Sequence, residues 1–178
     1  MIGLLEEKEV LSFDENFEVE ERKIGFLLDF ATHAPSAGNL KEWEFVVVKE
    51  KERKKEIAKA AFKDKRVLEA SVVIIICIDE EKLKLKYPEK EIYGEQDAFL
   101  AAAYLAFAAK FLDLDFLILR NFDKEKVSQT LELPQNLKPK VLVLIGKGKE
   151  FFPIQSLNFR LITHLEKFGK RESESLNQ

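Results

Sequence analysis

Two hydrophobic periods alternate along the chain. From Glu20 to Thr32 apolar residues fall at Ile24, Leu27, Leu28 and Ala31, with Phe26 and Phe30 widening the stripe. That spacing predicts a helix with one buried face. Pro35 ends it, because the residue before a proline disfavours helical backbone. Glu44 to Lys49 then changes to a β-branched run, Phe45-Val46-Val47-Val48, and predicts a strand. Lys51 to Phe62 predicts a helix with a basic, solvated face. Ser71 to Ile78, SVVIIICI, has no polar alternation at all. A strand of that kind is buried on both sides, which puts it at the centre of a sheet with helices on each face.

Asp79 to Glu91 is polar, contains Pro88 and predicts a loop. Asp97 to Leu112, DAFLAAAYLAFAAKFL, predicts a helix that is apolar nearly all round and therefore calls for burial on every side. In a chain of this size such a helix is either an internal spine or an interface with a second copy. Asp115 to Arg120 and Val141 to Ile145 predict two more strands. Lys124 to Leu131 predicts a helix closed by the turn at Leu133-Pro134. Ile2 to Val10 predicts a short amphipathic helix and Gln155 to Lys167 a last one, followed by a flexible tail, RESESLNQ, over 171–178. Helices alternating with strands make the class mixed: a sheet of about four strands covered by helices, in one domain over residues 1–170.

Composition narrows the function. With 178 residues, 46% of them hydrophobic, the chain can bury a core without disulfide staples. Its 29 basic and 32 acidic residues are interspersed and leave a net charge of -3, which argues against a nucleic-acid or anionic-membrane partner. No apolar run reaches the roughly 20 residues a membrane span needs. The first residues lack the basic and apolar regions of a signal peptide. A single cysteine, Cys77, rules out an internal disulfide and suits a reducing cytoplasm. Set in an apolar strand, it is expected to be a small hydrophobe with a raised pKa. Two histidines and one cysteine, far apart, make a poor metal set, and the histidines are expected to cap or pack rather than catalyse. No GxGxxG follows a strand, and GxxxxGK[ST], HExxH and CxxC are absent. Gly146 to Glu150, GKGKE, follows a strand but lacks the downstream Lys-Ser/Thr of a phosphate loop.

What remains is His33 to Trp43, HAPSAGNLKEW, which gathers a proline, a glycine, a serine, an asparagine and the only tryptophan between a helix and a strand. A helix stop explains Pro35 and Gly38 but not Ser36 and Asn39, side chains suited to a polar, planar ligand. This stretch resembles the APSxxNxQPW motif of the FMN-dependent nitroreductases. The order of the following segments matches as well: ASVVIIICI, then DAFLAAAYLAFAAKF, then a short strand and helix ending in LELP, then VLVLIGKG. The resemblance covers about Ile2 to Lys149.

The resemblance implies an α+β, nitroreductase-like fold with a central, mostly antiparallel sheet of about four strands covered by helices and the buried alanine-rich helix at a homodimer interface. It implies FMN at two sites built from both chains, NADH or NADPH as reductant, and ping-pong hydride transfer to a small planar acceptor such as a nitroaromatic or quinone. Carried over by position, Ser36, Ala37 and Asn39 would lie against the flavin. Lys41 would stand at the ring's pyrimidine end, Asp115 in the loop near the ring and Lys8 at the phosphate, to which a late cation returns, with Arg160 the first choice over Lys147 and Lys149. The chain also departs from the family. Lys8-Glu9-Val10-Leu11-Ser12-Phe13 stands where two arginines grip phosphate, Leu112 to Asp115 has no glycine where the family runs GLG, and Glu42 replaces the proline before Trp43. Those departures motivate an alternative, a degenerate homodimer of the same fold that binds another ligand or none.

Overall fold

Val72–Asp79 organises the molecule, because Val72 through Ile78 are all fully buried. In the computed structural model, which describes residues 8–155 and 157–170, this strand is β3. The preceding elements are β1 (Lys8–Phe13), α1 (Glu21–Thr32), β2 (Trp43–Val48), α2 (Lys51–Ala60) and α3 (Arg66–Glu69). After it come α4 (Glu80–Lys86), α5 (Glu91–Phe111), β4 (Asp115–Leu119), α6 (Lys124–Thr130), β5 (Leu137–Gly146) and β6 (Gly148–Pro153). A four-stranded antiparallel sheet runs β2-β3-β5-β4, and β1 pairs with β6 in a separate antiparallel ribbon.

Alternation across β3 splits the core in two. Ile74, Ile76 and Ile78, with Val141, Val143 and Ile145 of β5, pack against α1 and α5. Val73, Ile75 and Cys77, with Leu142 and Leu144, pack toward α2, α3 and α6. The sheet is thus covered on both faces, as the unbroken apolar run of β3 predicts. Burial pushes the Cys77 thiol up to about 12, with the charge of Glu44 adding to it, so it is inert packing.

The long helix α5 starts earlier than Asp97, at Glu91. Gly94 explains how its first turns can lie so close: a Cβ there would stand 2.9 Å from Ile78 Cγ2 and 3.1 Å from Leu83 Cδ2. Ala98, Ala101, Ala102, Ala108 and Ala109 are buried against the sheet and α1. The other side is open. Phe107 and Phe111 are 65% and 74% exposed, and Phe111 joins Phe26, Phe30 and Tyr104 in a continuous row of rings. Phe26 lies 6.0 Å from Phe30 and 6.1 Å from Phe111, and Phe30 lies 5.6 Å from Tyr104. Among the described residues, a helix that is apolar all round is therefore covered on one side only.

Four local expectations are corrected. Residues 8–10 are strand rather than the end of a helix, since Val10 and Phe13 are buried once β6 supplies a partner; the rest of that expected helix lies outside the described residues. The stretch from Asp79 to Glu91 is not a loop but holds α4. Asp79 caps it by accepting from the Lys82 backbone N–H, and its first-turn glutamates and last-turn lysines suit the helix dipole. The expected helix over 155–167 reduces to a single 3₁₀ turn, Phe159–Leu161. Leu157, Phe159, Leu161 and Ile162 are exposed, so no buried face stabilises a longer helix. Finally, β6 occupies Gly148–Pro153, where no element was expected. The expected flexible tail, 171–178, lies outside the described residues.

Candidate functional site

The turn after α1 is held from below at Ala37, Gly38 and Lys41. Ser36 is extended and opens a 3₁₀ turn, Ala37–Asn39, in which Gly38 has φ +53°. Asn39 and Lys41 also take positive φ, +55° and +51°, the left-handed region that asparagine tolerates and lysine does not favour. Lys86 Nζ donates to the Gly38 carbonyl at 2.7 Å, and the Tyr87 hydroxyl fills the space a side chain at 38 would need. Lys82 Nζ donates to the Lys41 carbonyl at 2.9 Å. Within the turn, the Lys41 N–H donates to Ser36 Oγ at 2.9 Å, and Lys41 Nζ turns back to the Thr32 carbonyl at 2.8 Å. The Ala37 N–H donates to Asp97 Oδ2 at 2.8 Å. Asn39 is exposed, and its side chain makes no hydrogen bond among the described residues, so its amide is available to a ligand.

A second group forms where β1, β4 and β6 meet. Asp115, buried at the start of β4, accepts from the Gly148 N–H at 2.8 Å. Lys8 Nζ lies 3.5 Å from Asp115 Oδ1 and 3.7 Å from the centre of the Phe151 ring. Lys147 Nζ reaches Asp113 Oδ2 at 2.9 Å and holds that exposed carboxyl below its usual range. Asp113 itself takes φ +55°, the conformation a glycine would adopt freely there. Glu9 is engaged by Arg66, whose Nη1 lies 3.3 Å from Glu9 Oε1, so its charge is balanced on α3. Arg160 is exposed in the Phe159–Leu161 turn.

The expected site residues thus fall into two groups. Ser36, Ala37, Asn39 and Lys41 share the turn; Lys8 and Asp115 share the strand corner; Arg160 sits in the last described segment. No hydrogen bond or ion pair among the described residues joins the turn to the corner.

Two buried acids complete the turn from beneath. Glu42 is 1% exposed and neither of its carboxylate oxygens has a hydrogen-bond partner; Asp97 is 3% exposed. Burial pushes the Glu42 carboxyl up to about 7, and the adjacent Asp97 side chain and its charge push the same way. The Glu42 main-chain hydrogen bond and the Lys82 charge oppose them. Sequence reasoning met Glu42 only as a departure from a motif and Asp97 only as a helix opener. It did not find Lys82, Lys86 and Tyr87, because their segment was expected to be a loop. A polar cleft of about 330 Å³, lined by Glu95, Phe99, Arg120, Asn121, Lys124 and Lys140, lies beside α5.

Residues 11–71 match the nitroreductase family model. An NADH dehydrogenase of Thermus thermophilus is 30% identical over 169 residues, covering 78% of this chain and 82% of the relative. The chain belongs to the nitroreductase family, and it is an oxidoreductase. An oxygen-insensitive NADPH nitroreductase of Helicobacter pylori (strain J99) is 25% identical over 170 residues, covering 77% of this chain and 80% of that one. An FMN-dependent nitroreductase from Clostridium difficile R20291 has the same fold, with a TM-score of 0.80 at 24% identity over 94% of this chain and 100% of its own. The matched range includes the Ser36–Lys41 turn and Glu42.

Proposed function

We propose that this nitroreductase-family chain is an FMN-dependent NAD(P)H oxidoreductase that acts on small planar acceptors such as nitroaromatics or quinones, working in the cytoplasm as a homodimer. The observation that carries the reading is the turn itself. Its backbone is fixed by Asp97, Lys82 and Lys86, while the Asn39 amide projects with no partner among the described residues. A rigid platform presenting one free amide fits the polar edge of a flavin ring, since an amide both donates and accepts. Lys8 supplies a cation for a phosphate, and Arg160 a second one from the last described segment. FMN held there would supply the hydride transfer between NAD(P)H and the acceptor.

The chain's own residues have narrower tasks. Ser36, bonded to the Lys41 N–H, keeps the turn closed. Asn39 orients the ring edge. Asp115 holds the Lys8 ammonium at the strand corner, where Lys8 meets negative charge. Two sets of residues on one chain, with no bond between them among the described residues, suit a site completed by a second copy. The exposed aromatic surface of α1 and α5 is where that copy would sit.

Purified protein should be yellow, or become so with added FMN, and the colour should bleach with NADPH. A protein that takes up no FMN overturns the reading. Lys8→Met should weaken FMN binding about tenfold or more, the loss of one charge-assisted contact, while Lys8→Arg should retain it, as read by quenching of flavin fluorescence. Phe107→Asp should convert a dimer to a monomer in light-scattering chromatography and abolish FMN uptake with it. A monomeric wild type, or a Phe107→Asp dimer, removes α5 from the interface.

A further inference from the structure

We propose that Glu42 and Asp97 act together as positioning residues, a latch beneath the Ser36–Lys41 turn that holds it for its ligand while Glu42 is protonated and loosens it when Glu42 ionises. The coupling to ligand rests on the function proposed above; the latch itself does not.

The geometry leaves little choice of protonation. Glu42 is pinned just before β2, its carbonyl accepting from the Asp79 N–H at 2.8 Å. Its carboxyl is buried, and neither oxygen has a well-formed hydrogen bond: its own main-chain N–H opposes the upward shift without overcoming burial. An ionised carboxylate in that position would lose its hydration and gain nothing. A protonated one has a partner at hand, because Asp97 commits Oδ2 to the Ala37 N–H and leaves its second oxygen to accept.

The charges packed around the pair do not offer an alternative. From α4, Lys82 attracts Glu42 but spends its ammonium on the Lys41 carbonyl, and Lys86 spends its own on Gly38. Asp79 at the end of β3 turns its side chain to the Lys82 N–H. From α5 only Asp97 faces Glu42, and it is of like charge.

Ionising Glu42 therefore sets two carboxylates against each other in a buried site. Asp97 is the one with something to lose, since it anchors the Ala37 N–H. Repulsion that shifts Asp97 releases the turn that carries Ser36 and Asn39. The upward shift of the Glu42 carboxyl puts the change near neutral pH. The proline of the family motif carries no proton, so this response belongs to the substitution at 42.

Trp43, the only tryptophan, is buried next to Glu42 and reports on the pair without any ligand. In flavin-free wild type its emission should titrate once between pH 5.5 and 8.5, with a midpoint near 7. Glu42→Gln should abolish that transition. Asp97→Asn, which keeps the acceptor for Ala37 but removes the opposing charge, should move it down by a pH unit or more. In a parallel FMN titration the wild-type Kd should be at least about fivefold weaker at pH 8.5 than at pH 6, whereas Glu42→Gln should bind equally at both. A wild type without the Trp43 transition, or a Glu42→Gln protein that keeps it, overturns the latch. Equal pH dependence of FMN binding in the two proteins overturns its coupling to the turn. Absence of FMN binding at every pH overturns the proposed function instead, and the Trp43 titration still decides the latch.

Discussion

Glu42→Gln should stabilise the protein by about 3 kcal/mol at pH 8 and by only about 1 kcal/mol at pH 5. The carboxyl is raised from 4.5 to about 7 in the folded chain, a shift worth about 3 kcal/mol at 1.36 kcal/mol per pH unit. The sign follows from proton binding. Well below pH 4.5 both the folded and unfolded states hold the proton, and the shift has no effect. As pH rises from about 4.5 to 7 the unfolded chain ionises while the folded chain does not, so stability falls across that window. Above pH 7 the folded chain ionises too, and the full penalty remains. Glutamine keeps the shape, donates to Asp97 and never ionises, so it removes the slope. Urea unfolding of both proteins at pH 5 and pH 8 measures this directly, and parallel stabilities at both values would contradict it. For a domain of this length 3 kcal/mol is several degrees in Tm.

The contrast with Lys54 shows why Glu42 stands out. Lys54 is nearly as buried, and burial lowers its pKa. Its ammonium nevertheless donates to the carbonyls of Leu68 and Ala70 at 3.0 and 2.7 Å. A charge that is buried and bonded tethers α2 to the end of α3. A carboxyl that is buried and unbonded marks a place where protonation decides the structure.

Much of the fold was legible because the strands announce themselves by side-chain period alone. The run SVVIIICI set the centre of the sheet, and the alanines of α5 set its burial against that sheet. The errors lie where a partner from far along the chain decides the outcome. Residues 8–10 have helical character until β6 pairs with them, and β6 has no apolar run of its own to betray it. The expected helix after residue 155 shows the reverse: a plausible spacing with nothing in the described chain to pack on. The segment from Asp79 to Glu91 was a different failure, since Asp79 followed by two glutamates and then lysines is a helix start and stop that could have been read locally. At the site, Ser36 and Asn39 were visible because a motif carries them. The Glu42–Asp97 pair was not, because 55 positions separate two acids that only the α5 packing brings together.

Ile75→Ala should cost about 3 to 4 kcal/mol of stability without weakening FMN binding. Ile75 is fully buried in the middle of β3, with Val46 beside it on β2 and Leu142 opposite it on β5. Truncating a buried isoleucine to alanine loses the transfer energy of three carbons and leaves a cavity, with measured costs of about 2 to 5 kcal/mol. The centre of a sheet covered on both faces has little freedom to collapse into that space, which sets the expectation in the upper part of the range. Its side chain points toward α2, α3 and α6, whereas the Ser36–Lys41 turn rests on α5 and α4 across the sheet. The loss should therefore appear in the urea midpoint and not in the FMN Kd measured well below that midpoint. A fall in affinity that tracks the fall in stability would mean that the two halves of the core do not act separately. The turn would then depend on the whole sheet rather than on Asp97, Lys82 and Lys86.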